Sequence, residues 1–343
     1  MASNNITTNQ LTACLLTTVA GRAMMNASSI FYRNFGQNAI IAIGLIFAIT
    51  IILILTVVAI CQKSDYIEPY SACLRALGKI GGSFLYGIIC LYLLALAVMS
   101  LKIFIYILNL YYLQRTPILV IALLIIVPVL YTAYGGLRTF AHTASLIYLL
   151  LAIFFLIFLF TKNNYTFTYL FPLANSALGE SLKNLPWCFV TSTAIMSLFF
   201  WLPALTNRQK IKKSVIVFTL IALGIFLAIY IIARTYFGDA IKDLILPFFN
   251  LSSRYGVGPF ERLDVLFILI FIPVMGLFAT FHFVLFYKAQ KLLLPKINNR
   301  RPGAVLIIFG LLIAFLAAFI RLNNLLWQTM LLSNYINLAL IFL

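Results

Sequence analysis

Charged residues are scarce in this sequence, and acidic ones are the scarcest. Only 7 of the 343 residues are Asp or Glu, and all charged types together make up 9% of the chain. Hydrophobic residues make up 64%, whereas a soluble domain is about half apolar and a quarter charged. A soluble fold of this composition could not cover its surface with polar side chains. The composition therefore indicates an integral membrane protein, whose lipid-facing surface is apolar.

Recognisable catalytic motifs are also missing from the sequence. It has no HExxH, no P-loop, no GxSxG and no GxGxxG after a strand. Its two histidines, His142 and His282, lie far apart and have no evident carboxylate partner. None of the five cysteines belongs to a CxxC pair, which favours their interpretation as small buried hydrophobic residues. We therefore expect no enzyme activity, no cofactor and no metal site.

Positive charge is present in excess, with 24 Lys and Arg residues and a formal net charge of +17. These residues occupy short gaps between apolar runs and form no basic face or domain, which argues against nucleic-acid binding. The loops after the second, fourth, sixth and eighth apolar runs hold more of them than the opposite loops. Cytoplasmic loops of membrane proteins carry such an excess, so we expect both termini to be cytoplasmic.

Long apolar runs separated by turn residues predict one all-α membrane domain, residues 1–343, with ten transmembrane helices. Most runs reach the roughly 17–25 apolar residues that a crossing helix needs. An even number of crossings agrees with two cytoplasmic termini. The predicted spans are residues 10–30, 39–60, 84–110, 118–134, 141–160, 186–204, 214–236, 264–288, 303–320 and 325–343.

The first predicted span contains an arginine, Arg22, near its middle, preceded by Gly21. An arginine at the centre of a bilayer costs about 2.5–3.5 kcal/mol on insertion scales, so it needs a compensating role. Gly21 favours a break in the helix, and the ends of broken helices can bind a ligand's charged groups. One hypothesis is a carboxylate-binding or gating arginine in a cavity bounded by Gly21, Arg22, Ala23 and Met24. The alternative is that Arg22 bonds backbone carbonyls or lies nearer the membrane interface.

Polar residues also occur inside two other predicted spans. The sixth span carries Thr191, Ser192 and Thr193 at the position that matches the first span's arginine in a two-fold repeat. Their hydroxyls either line the same cavity or bond back to their own helix. Lys102 in the third span, near Tyr106, either faces a cavity or extends its ammonium towards the interface. We predict that these five residues contribute to a ligand site.

Several short motifs occur at consistent spacing over nearly the whole chain. The clearest is QRTPILVI at residues 114–121, followed by YGGL at residues 134–137. Others are LPAL at residues 202–205 before a basic run, LPFF at residues 246–249 and FERLDVLF at residues 260–267. Together these motifs resemble those of the GerAB-type spore germination proteins, the B subunits of nutrient germinant receptors.

The resemblance implies a fold and a function. The family belongs to the amino acid/polyamine/organocation transporter superfamily, which implies a ten-helix, five-plus-five inverted repeat of the LeuT type. The two repeats would be residues 10–160 and 184–343, with the first and sixth helices broken. The protein would be a membrane subunit that senses a small nutrient, such as an amino acid, and triggers germination. Its partners would be the receptor's large A subunit and lipoprotein C subunit, in the inner membrane of the spore.

The sequence departs from the family pattern at two places. The family's Gly-x-Gly near the first break is Gly21-Arg22-Ala23 here. A Pro-Phe-Gly-Glu-like turn in the sixth span is replaced by TSTA at residues 191–194. Two alternatives to nutrient sensing therefore stay open. One is an amino acid permease that works by alternating access, and the other is a scaffold subunit that binds no ligand.

Two of the family motifs carry predicted structural roles. Gly135 and Gly136 mark the loop after the fourth span. Glu261, Arg262 and Asp264 stand at the start of the eighth span, where acidic residues complement the helix dipole. We expect charge-assisted bonds among these three residues to fix the preceding loop to the helix. The alternative is that they are solvated charges at the membrane interface.

Overall fold

The described part of the chain is helical. The computed structural model describes residues 6–146, 165–173, 179, 182–186, 188–252, 264–320 and 325–342. Within these ranges all regular structure is helix, apart from one isolated parallel bridge between Ile6 and Leu205. The prediction of an all-α protein is confirmed for these residues.

The first half of the chain forms six described helices. Lipid offers no hydrogen-bond partners to the backbone. An apolar segment therefore satisfies its N–H and C=O groups internally, which a helix does. The helices are α1 (Thr8–Met25), α2 (Ala27–Phe35), α3 (Ala39–Lys63), α4 (Pro69–Tyr111), α5 (Ile118–Tyr134) and α6 (Gly136–Leu146).

The second half contributes seven described helices. Proline stands in the first turn of α11 and α12, where its missing N–H has no partner within the helix in any case. The helices are α7 (Ser192–Trp201), α8 (Ile211–Phe237), α9 (Pro247–Ser252), α10 (Asp264–Leu293), α11 (Pro295–Arg300), α12 (Pro302–Phe319) and α13 (Leu325–Phe342).

Several helices are long and apolar enough to cross a membrane, so the protein is a multi-pass membrane protein. Five segments of the described chain meet both criteria, and α5 with α6 makes a sixth if this pair, bent by 118°, is counted as one span. Described helices lie at nine of the predicted spans, while most of the fifth, residues 141–160, lies outside the described residues. The five segments are Ala27–Lys63, Pro69–Tyr111, Ile211–Asp243, Phe267–Leu293 and Pro302–Phe319.

Large apolar side chains are exposed along the middle of these helices. Ile52 on α3, Leu91 on α4, Leu124 on α5 and Ile308 on α12 are 65%, 67%, 65% and 63% exposed. Soluble monomers rarely expose extended apolar surface, because water penalises it. Lipid tails carry no such penalty, so these side chains face the bilayer.

The break in the first helix does not lie at Gly21, where the sequence predicted it. α1 continues through Gly21 and Arg22 to Met25, and the break falls at Asn26, whose φ and ψ are −132° and 16°. Gly21 serves close packing instead. A Cβ built on it would lie 2.8 Å from the ring of Phe278 on α10, so the absent side chain lets the two helices approach.

Contacts between helix termini define two ends of the helix bundle. At the first, the N–H of Ile6 donates to the carbonyl of Ala204 at 3.1 Å. The hydroxyls of Thr12 and Ser214 bond each other there at 2.7 Å. α1 and α8 therefore both begin at this end, which we call the N-terminal end.

The opposite end of the bundle is tied together by α2 and the segment after α8. The hydroxyl of Ser29 donates to the carbonyl of Leu244 at 2.7 Å. Arg234 forms an ion pair of 2.8 Å with Asp239, and the hydroxyl of Tyr32 donates to the same carboxylate. The guanidinium of Arg234 also lies 4.2 Å from the centre of the Tyr32 ring. These contacts hold α2, which follows the break in the first helix, against α8.

α10 lies at the centre of the described bundle. It packs against α4, α5 and α1, while α8 packs against α1 and α3. The last helix, α13, packs against α7 and α4. This arrangement brings α1, α4, α7, α10 and α13 around one buried region.

The turn between α5 and α6 explains the paired glycines. Gly136 has φ 78°, a left-handed conformation that glycine adopts without strain. Gly135 ends α5, and the two helices meet at 118°. The predicted loop at Gly135 and Gly136 is therefore a sharp helix–helix turn.

α4 is folded back near its start by a second glycine turn. Gly78 has φ 72° and ψ −179°, which interrupts the helix. Gly82 then lies against the backbone of the preceding segment. A Cβ on Gly82 would stand 2.5 Å from the carbonyl oxygen of Cys73 and 2.7 Å from the Cα of Leu74.

We expect Gly82→Ala to destabilise the protein by about 1–3 kcal/mol, because the clashing atoms are backbone and cannot move without opening the turn. Gly87→Ala is the matched control, since a Cβ at Gly87 meets nothing within 4 Å on the same helix. Thermal unfolding of both purified variants in nanodiscs checks this. Equal melting temperatures for the two variants would show that the α4 turn has room for a methyl group.

Candidate functional site

Arg22 is buried between helices and does not face lipid. It is 6% exposed. It lies about 21 Å along α1 from Thr8, given a rise of 1.5 Å per residue. The structure therefore shows a buried arginine, while its depth in the bilayer stays a prediction.

The hydrogen bonds of Arg22 go to side chains and not to backbone carbonyls. One terminal nitrogen, Nη1, donates to Oδ1 of Asn334 on α13 at 2.5 Å. The other, Nη2, donates to Oγ1 of Thr193 at 3.1 Å and to Oγ of Ser333 at 3.5 Å. The third nitrogen, Nε, has no hydrogen-bond partner among the residues that the structure describes.

A second layer of hydrogen bonds holds these partners in position. Nδ2 of Asn337, on α13, donates to Oγ1 of Thr193 at 2.9 Å and to Oγ of Ser192 at 3.3 Å. The hydroxyl of Tyr92, on α4, donates to Oδ1 of Asn337 at 2.9 Å and to the carbonyl of Ser333 at 3.1 Å. Polar groups from α1, α4, α7 and α13 thus form one connected network.

The start of α7 lies inside this network. The chain before it, residues 188–191, is turn, and the helix begins at Ser192. The helix therefore starts within the polar run Thr191, Ser192 and Thr193. Thr191 bonds Thr50 of α3 at 2.6 Å instead of Arg22. The first N–H groups of an α-helix have no carbonyl partner within the helix.

The site carries positive charge without a matching anion. A helix N-terminus holds about half a positive charge, and α7 presents its own beside the Arg22 guanidinium. Among the residues that the structure describes, the one ion pair is Arg234 with Asp239, so no described carboxylate neutralises Arg22. A buried cation left without an anion is unfavourable, so the site favours binding of an anionic group.

A small cavity of about 30 Å³ opens beside Arg22. This volume accommodates one or two water molecules. Its walls are mostly apolar side chains of α4 and α10, with three further polar groups beside Arg22. The lining residues are Arg22, Leu96, Met99, Ser100, Ile103, Phe278, His282 and Ser333.

His282 is oriented by its own helix. Its Nδ1 lies 2.8 Å from the carbonyl of Phe278, one turn earlier on α10. A proton on Nδ1 makes this contact a hydrogen bond and leaves Nε2 as an acceptor. The sequence predicted only a structural role for His282, but the structure places it in the cavity wall beside Arg22.

Not all predicted site residues come together. Ala23 and Met24 are buried in α1 but do not line the cavity. Lys102 is 7% exposed and Tyr106 is half-buried on α4, and neither lines the cavity. Lys102 makes no hydrogen bond or ion pair within the described ranges. Arg22 bonds Thr193 directly and shares Asn334 with Ser192, while their role in a ligand site stays a prediction.

The predicted charge cluster before the eighth span is not tested. Glu261 and Arg262 lie outside the described residues, and Asp264 is described only as the first residue of α10.

The sequence interpretation missed Ser333, Asn334 and Asn337. Ser333 and Asn334 are adjacent in an apolar span, and Asn337 follows one helical turn later. This spacing places polar groups on one helix face. That pattern was present in the sequence and could have identified α13 as a wall of the site.

The helices and the buried network define a multi-pass membrane protein with a polar site between its helices. A family model described as spore germination protein matches residues 5–324. The chain therefore belongs to the GerAB-type spore germination protein family, as its motifs predicted. This family is of the transporter or receptor type and is not an enzyme family. The protein is thus a spore germination-related, permease-like membrane protein. No curated protein matches the sequence significantly.

Proposed function

We propose that the protein is the nutrient-sensing membrane subunit of a spore germinant receptor and binds a small amino acid at Arg22. One observation carries the proposal: a buried arginine without a described anionic partner lies between the start of α7 and a cavity. An α-carboxylate supplies the missing charge. It accepts two hydrogen bonds from a guanidinium at once, and such charge-assisted pairs are about twice as strong as neutral ones.

The cavity favours a small ligand with an aliphatic side chain. Leu96, Met99 and Ile103 form its apolar wall on α4, while Ser100 and His282 offer acceptors for an ammonium group. At about 30 Å³ the cavity is smaller than an amino acid, so binding requires the surrounding side chains to move. We infer that Ala23, Met24, Lys102 and Tyr106 contact the ligand in that rearranged state.

The wider architecture belongs to the same proposal. We infer ten transmembrane helices in a LeuT-type fold with repeats 10–160 and 184–343. The break at Asn26 in the first predicted span and the helix start at Ser192 within the sixth support it. The bias of Lys and Arg between loops supports cytoplasmic termini. Family membership supports a place in the spore inner membrane with receptor A and C subunits.

Two measurements on the same protein test the function. Spores lacking the gene are expected to lose germination with a single amino acid and to regain it when the gene is restored. Purified protein in proteoliposomes is expected to show no uptake of that labelled amino acid. Uptake that depends on the protein would establish a permease instead. Unchanged germination of the deletion spores with every amino acid would contradict a role in nutrient sensing.

A further inference from the structure

We propose that Asn334 occupies the place of the ligand's carboxylate in the unliganded protein, and that nutrient binding breaks the link between α1 and α13. The inference rests on the proposed function and adds the step by which binding becomes a movement. Its basis is the position of one oxygen atom, Oδ1 of Asn334.

Oδ1 of Asn334 accepts hydrogen bonds from two donors of the site. They are Nη1 of Arg22 at 2.5 Å and Oγ of Ser192 at 3.1 Å. Arg22 can only donate, so an acceptor oxygen must stand there. One oxygen of a carboxylate would be held by the same two donors, Nη1 of Arg22 and Oγ of Ser192. Asn334 and a carboxylate thus compete for one position.

The two competing groups, the amide of Asn334 and the carboxylate of the ligand, differ in charge. The amide of Asn334 is neutral and leaves Arg22 as a buried, uncompensated cation. A carboxylate neutralises it, so the ligand gains more at this position than the amide loses. Asn334 therefore accepts a hydrogen bond from Arg22 in the absence of ligand, but a carboxylate can displace it.

Displacing Asn334 changes how α13 is held. α13 packs on α7 and α4, and its polar link to α1 is the bonding of Arg22 to Asn334 and Ser333. Asn337 still ties α13 to α7 after that link is broken. Binding would therefore free α13 from the bonds of Asn334 to Arg22 and Ser192 while Asn337 keeps it on α7, which lets the last helix report the occupied site.

Two substitutions of Asn334 have opposite expected effects. Asn334→Ala removes the competing oxygen and leaves room for water at Arg22, so the nutrient concentration for half-maximal germination should fall about tenfold. Asn334→Asp supplies a permanent carboxylate that pairs with Arg22 and excludes the ligand, so the response should be lost. The probes are L-alanine, L-valine and L-leucine, each given as the single nutrient to spores carrying one variant. Leu332→Ala, on the lipid side of α13, is the control and should behave like the native chain.

The outcomes separate this inference from the proposed function. A higher nutrient requirement for Asn334→Ala would mean that Asn334 holds the ligand, which overturns the inference and leaves ligand binding at Arg22 intact. A normal response of Asn334→Asp overturns it as well. If Asn334→Ala does not reach the spore membrane, Asn334→Asp alone decides, together with its protein level on immunoblots. An unchanged response of Arg22→Ala would instead contradict the proposed function.

Discussion

Replacement of Arg22 by alanine is expected to raise the nutrient concentration for half-maximal germination by about a hundredfold or more. Truncating one partner of a buried, charged hydrogen-bonded pair costs about 2–5 kcal/mol, and 1.4 kcal/mol is a factor of ten. The protein itself should stay folded. Alanine removes a charge that is costly to bury in a membrane, and Thr193 keeps its bond from Asn337.

Arg22→Lys is the matched variant for this prediction. Lysine restores the positive charge but not the planar fork that binds both carboxylate oxygens, so part of the response should return. Dose–response curves of spores carrying each variant, with protein levels from immunoblots, give the comparison. Native sensitivity of a normally expressed Arg22→Ala protein would mean that Arg22 only fills the site and does not bind the nutrient.

Replacement of Trp201 by alanine is expected to have the largest effect on stability, about 3–5 kcal/mol of unfolding free energy. Trp201 ends α7 and is 1% exposed. Its ring centre lies 5.8 Å from that of Phe140 on α6 and 5.6 Å from that of Phe281 on α10. Removing the indole leaves a cavity among three helices, which cannot close without moving α7 and therefore Ser192 and Thr193.

Phe84→Ala serves as the control for Trp201→Ala. Phe84 is equally aromatic but 73% exposed on α4, so its loss removes few protein contacts. Thermal unfolding of both purified proteins in nanodiscs should show a large decrease in melting temperature for Trp201→Ala only. A similar small change for both would indicate that the aromatic cluster of Phe140, Trp201 and Phe281 does not stabilise α7.

The sequence was sufficient to predict the membrane class and most helix positions, because apolar runs and breaker residues are local signals. It was also sufficient to single out Arg22, since a charge in an apolar span is conspicuous. The position of the first break was not predictable in the same way. Gly21 is compatible with both a broken helix and a close helix contact, and only the position of Phe278 decides between them.

The far wall of the site depends on contacts distant in sequence. Asn334 lies 312 residues from Arg22, and Tyr92 reaches Asn337 across 245 residues. The polar residues of α13 mark one face of that helix, but no local pattern indicates which helix this face packs against or which residue of α4 faces α1, because that depends on how the helices pack. Lys102 shows the converse. It is as conspicuous in its span as Arg22, yet it does not line the cavity.

Binding of an amino acid and of its α-amide to the purified protein tests carboxylate recognition by Arg22 most directly. The ligand is the amino acid that germinates spores carrying the native chain, and isothermal titration in nanodiscs gives both dissociation constants. The amide keeps the size and the ammonium group of the amino acid but lacks the negative charge. We predict that the amide binds at least about a hundredfold more weakly to the native protein, and that this difference disappears in Arg22→Ala. Equal affinities for acid and amide in the native protein would contradict a carboxylate-binding site at Arg22.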